Sequence, residues 1–290
     1  MSTLTAPLVA MPNTLWHALL RNKMAWVGIG MMLLIILVAL FAPLLAPYDP
    51  LQQNIAYRLE PPSAEFWLGT DSYGRDVLSR LIYGTRVSLL VGFVAVMIAM
   101  VIGSILGIVA GYLGGFVDRF IMGLVDVLLS FPTLLLGLMV AAMLGASLEN
   151  LIIAIAITEI APFVRVARAP TIALKQRDFV EAGRSLGYSP IRLMGGHILP
   201  NMISEVLVLG ALWMATAIRT EASLSFIGLG APPPTPTWGS MIREGFENIL
   251  DAWWLTVCPS IAILITVLAL SLLGDALRDA IDPKTRSERS

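Results

Sequence analysis

The chain has 290 residues, of which 57% are hydrophobic and 13% charged, with a formal net charge of −1 and a mean hydropathy of +0.81. Soluble domains are about 45–50% apolar and about a quarter charged, so this composition excludes an ordinary soluble domain and points to a lipid bilayer. The near-zero charge excludes a nucleic-acid footprint, and the single cysteine, Cys258, excludes an intrachain disulfide.

A helix needs about 20 mostly apolar residues to cross a bilayer. Residues 1–24 precede the first such run and carry only Arg21 and Lys23; the run that follows is too long for a cleaved signal, so a retained span is expected at 25–46. Five more spans are expected at 87–112, 120–145, 150–168, 202–226 and 253–274, which makes the chain an all-α integral membrane protein with six transmembrane helices. The runs are continuous rather than alternating, and a helix satisfies its own backbone in lipid, so barrel strands do not compete. The Lys and Arg bias places both termini in the cytoplasm, with the segment between spans four and five on the same side and 47–86 outside.

Taken in order, the outer segment 67–86 has Asp71–Arg75 and Asp76–Arg80 at near-helical spacing with Leu78, Leu81 and Ile82, which predicts a short amphipathic helix. It either braces the outer mouth or anchors at the interface. Span two carries Ala95, Ala99, Gly103, Gly107 and Gly111 at a spacing of four, one helix face of small residues that lets backbones approach closely. Its partner is a helix of this chain or of another subunit. Asp126, Glu159, Arg219 and Glu221 fall at or within apolar runs, where charge is costly. They either line a translocation path or pair with one another. The Pro-rich run 232–236 predicts a rigid outer loop, and Trp238, Trp253 and Trp254 are expected in the aromatic belt. The tail 275–290 is expected in the cytoplasm.

The segment EAGRSLGYSPIRLMGGHILPN, residues 181–201, interrupts this pattern. Helical spacing of Phe179, Ala182, Gly183 and Leu186 predicts a helix over 172–186. Gly187 suits a left-handed cap, Ser189 an N-cap and Pro190 the first residue of a second short helix over about 190–198. Pro200 then heads span five. The product is a helix–turn–helix elbow outside the membrane, within about 171–200, with a small patch at Ala182–Gly183 that suits docking into a groove.

His17 and His197 lack metal-ligand spacing, and the sequence has no phosphate-binding loop, dinucleotide fingerprint or nucleophile elbow. No metal, cofactor or catalytic residue is therefore expected in this chain.

Glu181, Ala182, Gly183, Gly187, Leu199 and Pro200 together resemble the EAA loop of the permease subunits of ABC importers. The ending His-Ile-Leu-Pro-Asn, with WLGTDSYGRDVLSRLIYGTRVSLLVG (67–92), GYLGGFVDRFIM (111–122), LSFIGLGAPPPTPTWGSM (224–241) and LLGDALRDAIDP (272–283), is similar to the second permease of the peptide/nickel branch. The resemblance covers about residues 20–283. Gly183 stands where the general pattern has alanine, His197 where isoleucine is frequent, and Ser271 where asparagine is frequent.

The resemblance implies a type I ABC importer permease fold in a bacterial inner membrane. It implies a homologous second permease as heterodimer partner, two cytoplasmic ATPases holding ATP and Mg, and a periplasmic solute-binding protein. Glu181, Ala182, Gly183, Gly187, Ser189, Pro190, Leu199 and Pro200 would then couple the permease to the ATPases. Cargo in this branch is dipeptide or oligopeptide, with nickel, metal chelates, glutathione, D-Ala-D-Ala and opines as alternatives. An ATPase-independent secondary transporter or channel is the reading of another class, but no repeat relates the two halves and an elbow would be idle there.

Overall fold

The computed structural model describes residues 23–281. The expected cytoplasmic N-terminal segment up to residue 22, with His17, and the tail beyond 281 lie outside the described residues. Apart from an isolated bridge between Thr70 and Asp76, the described regular structure is helical. It runs α1 (Lys23–Leu40), α2 (Val77–Leu113), α3 (Gly115–Ser130), α4 (Thr133–Leu144), α5 (Leu148–Lys175), α6 (Asp178–Ser185), α7 (Pro190–Leu193), α8 (Leu199–Ile227), α9 (Trp238–Glu247) and α10 (Trp254–Ile281), with single helical turns at Ala42–Leu45 and Ile55–Tyr57 between α1 and α2. Among the described residues five helices are long and apolar enough to cross a membrane, or six when α3 and α4 count as one bent span.

The small-residue row decides the packing centre. Gly103, Gly107 and Gly111 of α2 lie against α5, and Ala95 and Ala99 continue the row fully buried. A Cβ on Gly103 would sit 2.5 Å from the Phe163 Cβ and 2.8 Å from the Ile160 carbonyl oxygen. One on Gly107 would sit 2.7 Å from the Ala167 Cβ, and one on Gly111 2.9 Å from the Arg168 carbonyl oxygen. The partner left open by the sequence is therefore span four of the same chain, and the two backbones touch over two turns. On another face α2 meets α8, where a Cβ on Gly92 would lie 2.9 Å from Ile218 Cγ1. Helix α8 packs on α10, and α10 packs on α1.

Four expectations are corrected. First, no separate amphipathic helix occupies 67–86. The Asp76 side chain caps α2 by accepting from the Ser79 N–H at 2.7 Å, and nothing breaks the helix between Val77 and Leu113. The second half of the expected helix is the beginning of α2, and residues 67–76 form turns, bends and the Thr70–Asp76 bridge. Second, span three is not straight. It bends by 96° between α3 and α4, because Pro132 lacks an N–H and disfavours helical backbone at Phe131. Third, the helix expected over 172–186 breaks at Gln176 and Arg177, between α5 and α6, while α7 runs through a π turn straight into α8. Fourth, of the three tryptophans expected in the belt, Trp253 alone is exposed as a belt residue would be. Trp238 and Trp254 are buried, and their indole N–H groups donate to the carbonyls of Leu81 (3.3 Å) and Thr70 (3.2 Å).

A buried charge cluster closes the end of the bundle opposite the elbow. Asp71 Oδ2 pairs with Arg75 Nε at 2.6 Å and Arg80 Nε at 3.2 Å, while Glu244 of α9 pairs with Arg75 Nη2 at 3.2 Å and accepts from the Ser72 hydroxyl. Asp71–Arg75 is thus a true pair, but Arg80 turns to Asp71 and Glu244 because Asp76 is committed to the cap. The cluster ties the loop after α1 to the start of α2 and to α9.

Gly107→Val should lower the melting temperature of the detergent-solubilised protein, since overpacking costs about 1–3 kcal/mol. Gly30→Val, where a Cβ meets nothing within 4 Å, should leave it unchanged. Asp71→Asn should destabilise by about 3–5 kcal/mol, the scale for breaking a buried ion pair, read as a lower denaturation midpoint of the purified chain.

Candidate functional site

The elbow is built from local signals. Asp178 and Glu181 sit in the first turn of α6 and Arg184 in its last turn, each favourable to the helix dipole. The helix ends in a Schellman motif: the Tyr188 N–H donates to the Gly183 carbonyl at 3.1 Å and the Gly187 N–H to the Arg184 carbonyl at 3.0 Å. Gly187 has φ +80°, the left-handed conformation that a β-carbon opposes. The Ser189 hydroxyl then accepts from the Arg192 N–H and Pro190 opens α7, as the sequence predicts. Val180, Leu193 and Ile198 are fully buried and seat the elbow on the bundle near Tyr112 and Leu174.

The structure separates two residues that the sequence groups as one docking patch. Ala182 faces outward, but Gly183 faces into the elbow. A Cβ there would lie 2.9 Å from Leu193 Cδ2, 3.2 Å from Tyr188 Cδ2 and 3.6 Å from His197 Cδ2. Gly183 and His197, the two elbow positions that depart from the general EAA pattern, are therefore neighbours. The His197 ring also packs on Tyr188, with centroids 5.6 Å apart, and the Arg192 guanidinium lies 4.0 Å from the Tyr188 ring centre. The outward surface carries Glu181, Ala182, Leu186 and Ile191, with Leu186 73% and Ile191 78% exposed. Leu199 and Pro200 belong to the opening turn of α8 rather than to this surface.

Of the ionisable residues expected within spans, Asp126 and Glu221 are taken up by separate partners, while the Arg219 charge acts on Glu159 without a hydrogen bond or close ion pair between them. Asp126 Oδ1 pairs with Arg165 Nη2 at 2.7 Å on an exposed face between α3 and α5. Glu221 is buried, its Oε1 accepting from Ser225 at 2.7 Å and its Oε2 from Ser88 at 3.0 Å, so it clamps α8 to α2. Glu159 is buried, and neither of its carboxyl oxygens has a hydrogen-bond partner among the described residues. Arg219 is exposed and its Nη2 donates to Thr216 at 3.1 Å.

The sequence reading missed Asp118 and Arg168, which form a two-toothed pair at 2.5 and 2.6 Å that ties the start of α3 to α5. Fifty residues separate them, and no local spacing announces the pair. Ser225 was within reach as the residue one turn beyond Glu221; Ser88 was not. Among the described residues no group of three or more His, Cys, Asp or Glu could hold a metal ion.

Gly183→Leu should force Leu193 and Tyr188 apart and Gly187→Val should strain the cap by about 1–2 kcal/mol. Both should speed hydrogen exchange at the amides of Gly187 and Tyr188, with Gly187→Asn milder than Gly187→Val.

Residues 103–287 match the family model described as the binding-protein-dependent transport system inner membrane component, and residues 13–62 match the N-terminal TM domain of oligopeptide transport permease C. The dipeptide transport system permease protein DppC of Escherichia coli (strain K12) is 46% identical over 290 residues, covering 98% of this chain and 97% of that protein. The di/tripeptide transport system permease protein DppC of Pseudomonas aeruginosa (strain UCBPP-PA14) is 43% identical over 94% of this chain and 92% of its own length. The glutathione transport system permease protein GsiD of Salmonella paratyphi A is 45% identical over 93% and 90%. Among solved structures, an inward-facing form of the MetNI methionine ABC transporter aligns with a TM-score of 0.56 at 17% identity, over 71% of this chain and 98% of the other. That likeness bears on the fold alone, and it is the type I permease fold that the resemblance implied. The chain is a multi-pass inner-membrane protein and belongs to the family of binding-protein-dependent transport system inner membrane components.

Proposed function

We propose that this chain is one of two permeases forming the translocation path of an ATP-driven importer of di- and oligopeptides. A periplasmic solute-binding protein delivers the peptide, a homologous second permease completes the path as a heterodimer, and two cytoplasmic ATPases bind ATP and Mg. Both termini and the elbow lie in the cytoplasm. The observation that carries the reading is the elbow: a doubly capped unit seated by Val180 and Leu193, presenting Leu186 and Ile191 outward where a solvated loop would present polar groups. Exposed apolar side chains around a small residue suit burial in a groove of another protein. The family membership and the peptide-permease relatives support the rest, and the ATPase-independent carrier has no such support.

Residue roles follow from placement. Glu181 and Ala182 contact the ATPase. Gly183, Gly187, Ser189 and Pro190 hold the elbow's shape, while Leu199 and Pro200 join it to α8. Of the four ionisable residues in spans, Arg219 is the one exposed without an ion pair among the described residues, and it meets the carboxylate end of the peptide. Glu221 and Asp126 serve packing through the partners described above. Glutathione is the second reading of the cargo, favoured by the relatives of that name at 45% identity.

In proteoliposomes holding both permeases and both ATPases, with the binding protein inside the assay, uptake of labelled dipeptide should require ATP and should resist excess glutathione. Efficient competition by glutathione reassigns the cargo to that tripeptide. Ala182→Arg should release the ATPases while the two permeases still co-purify. Retained ATPase binding and uptake in that variant would remove the elbow from the coupling role.

A further inference from the structure

We infer that the π turn Met194–Ile198 is a hinge on which the elbow tilts against α8. The inference rests on the reading of the elbow as the coupling element. Here the Leu199 N–H donates to the Met194 carbonyl, one residue farther back than in an α-helix. The cause of the widening is next in sequence. Pro200 would press its ring against the carbonyl of residue 196 in a regular helix, and an extra residue in the turn moves that carbonyl aside. The Asn201 Nδ2 donates to the His197 carbonyl at 2.6 Å, a side chain standing in where the helical ladder is interrupted. Single π turns inside helices recur where helices bend or act.

Proline explains the turn's position but not its two glycines. Gly195 and Gly196 have no left-handed φ, and a Cβ at either would meet nothing within 4 Å. No close contact, cap or turn requires glycine there. Elsewhere in this chain the helical glycines of α2 are explained by backbone contact; these two are not. A rigid helix would gain from alanine at both positions, because glycine is among the poorest helix formers. What glycine supplies instead is freedom to change backbone angles.

The surroundings fit a hinge with a fulcrum. Gly195 and Gly196 lie on the exposed side of the turn, while Leu193 and Ile198 on either side are fully buried. Bending therefore opens the solvent side and leaves the buried contacts as a pivot. The Tyr188 ring, packed on His197 within the turn and on Arg192 within α7, latches the closed arrangement seen here. Hinges of this kind use a few element-terminal residues that absorb the change in φ and ψ.

The test uses the complete complex of two permeases, ATPases and binding protein. Gly195→Ala combined with Gly196→Ala introduces no clash and shifts the balance between bent and straight turns by about tenfold or more. The expected result is normal co-purification with the ATPases, continued ATP hydrolysis, and dipeptide uptake reduced by about tenfold. Amide exchange at residues 195–199 during ATP turnover should be fast in the native complex and protected in the variant. Gly30→Ala in α1, also made in open space, should change none of these. Native uptake with native exchange in the double variant overturns the hinge and leaves the coupling role standing. Loss of ATPase binding in the double variant also overturns it, since the glycines would then serve docking. Failure of the native elbow to hold the ATPases removes the coupling reading itself, and the hinge with it.

Discussion

The structure depends on backbone contact between α2 and α5. Lipid tails are as apolar as leucine side chains, so burying leucine between helices gains little in a membrane. What holds helices together is close approach, and Gly103, Gly107 and Gly111 provide it over two turns. The contact runs along α5 as far as Thr171, one turn short of where that helix ends and the elbow begins. It also leaves the other face of α2 to α8, through Gly92 and the Ser88–Glu221 hydrogen bond. Helix α8 starts where the elbow stops, and α2 holds it at its far end through Ile218 and Glu221.

Charge is used sparingly, and where charged side chains of both signs are buried together they are paired. The Asp71, Arg75, Arg80 and Glu244 cluster welds the loops at one end, and the Asp118–Arg168 pair fastens α3 near the other. Buried charges without partners are costly, so the paired ones are structural by their geometry. Glu221 is satisfied by two hydroxyls, Asp126 by Arg165, and Arg219 stays exposed.

The elbow is built differently at its corner and at its root. Its helices are capped at the inner corner by Gly187 and Ser189, so its shape comes from local bonds rather than from the bundle. Its attachment is another matter: a π turn, two glycines in open space and a proline lie between it and α8. Gly183 and His197 pack together across the inner corner, so the two departures from the general pattern form one local contact.

The sequence by itself determined the class of the protein, the number of apolar runs, the elbow and both of its caps. Those features depend on composition and on bonds within a few residues, which spacing reveals. It also marked the small-residue face of α2, because periodicity shows which side of a helix is unusual. It did not show what that face meets, since the partner α5 lies more than fifty residues on. The same limit applies to Glu221 with Ser88, Asp118 with Arg168 and Arg80 with Glu244. The second half of the expected amphipathic helix proved to be the start of α2, because Asp76 was spent on a cap instead of on Arg80. Gly183 turned inward for a similar reason. A helical stripe says which residues share a face, and only the fold of the chain onto itself decides whether that face looks out at a partner or in at Leu193.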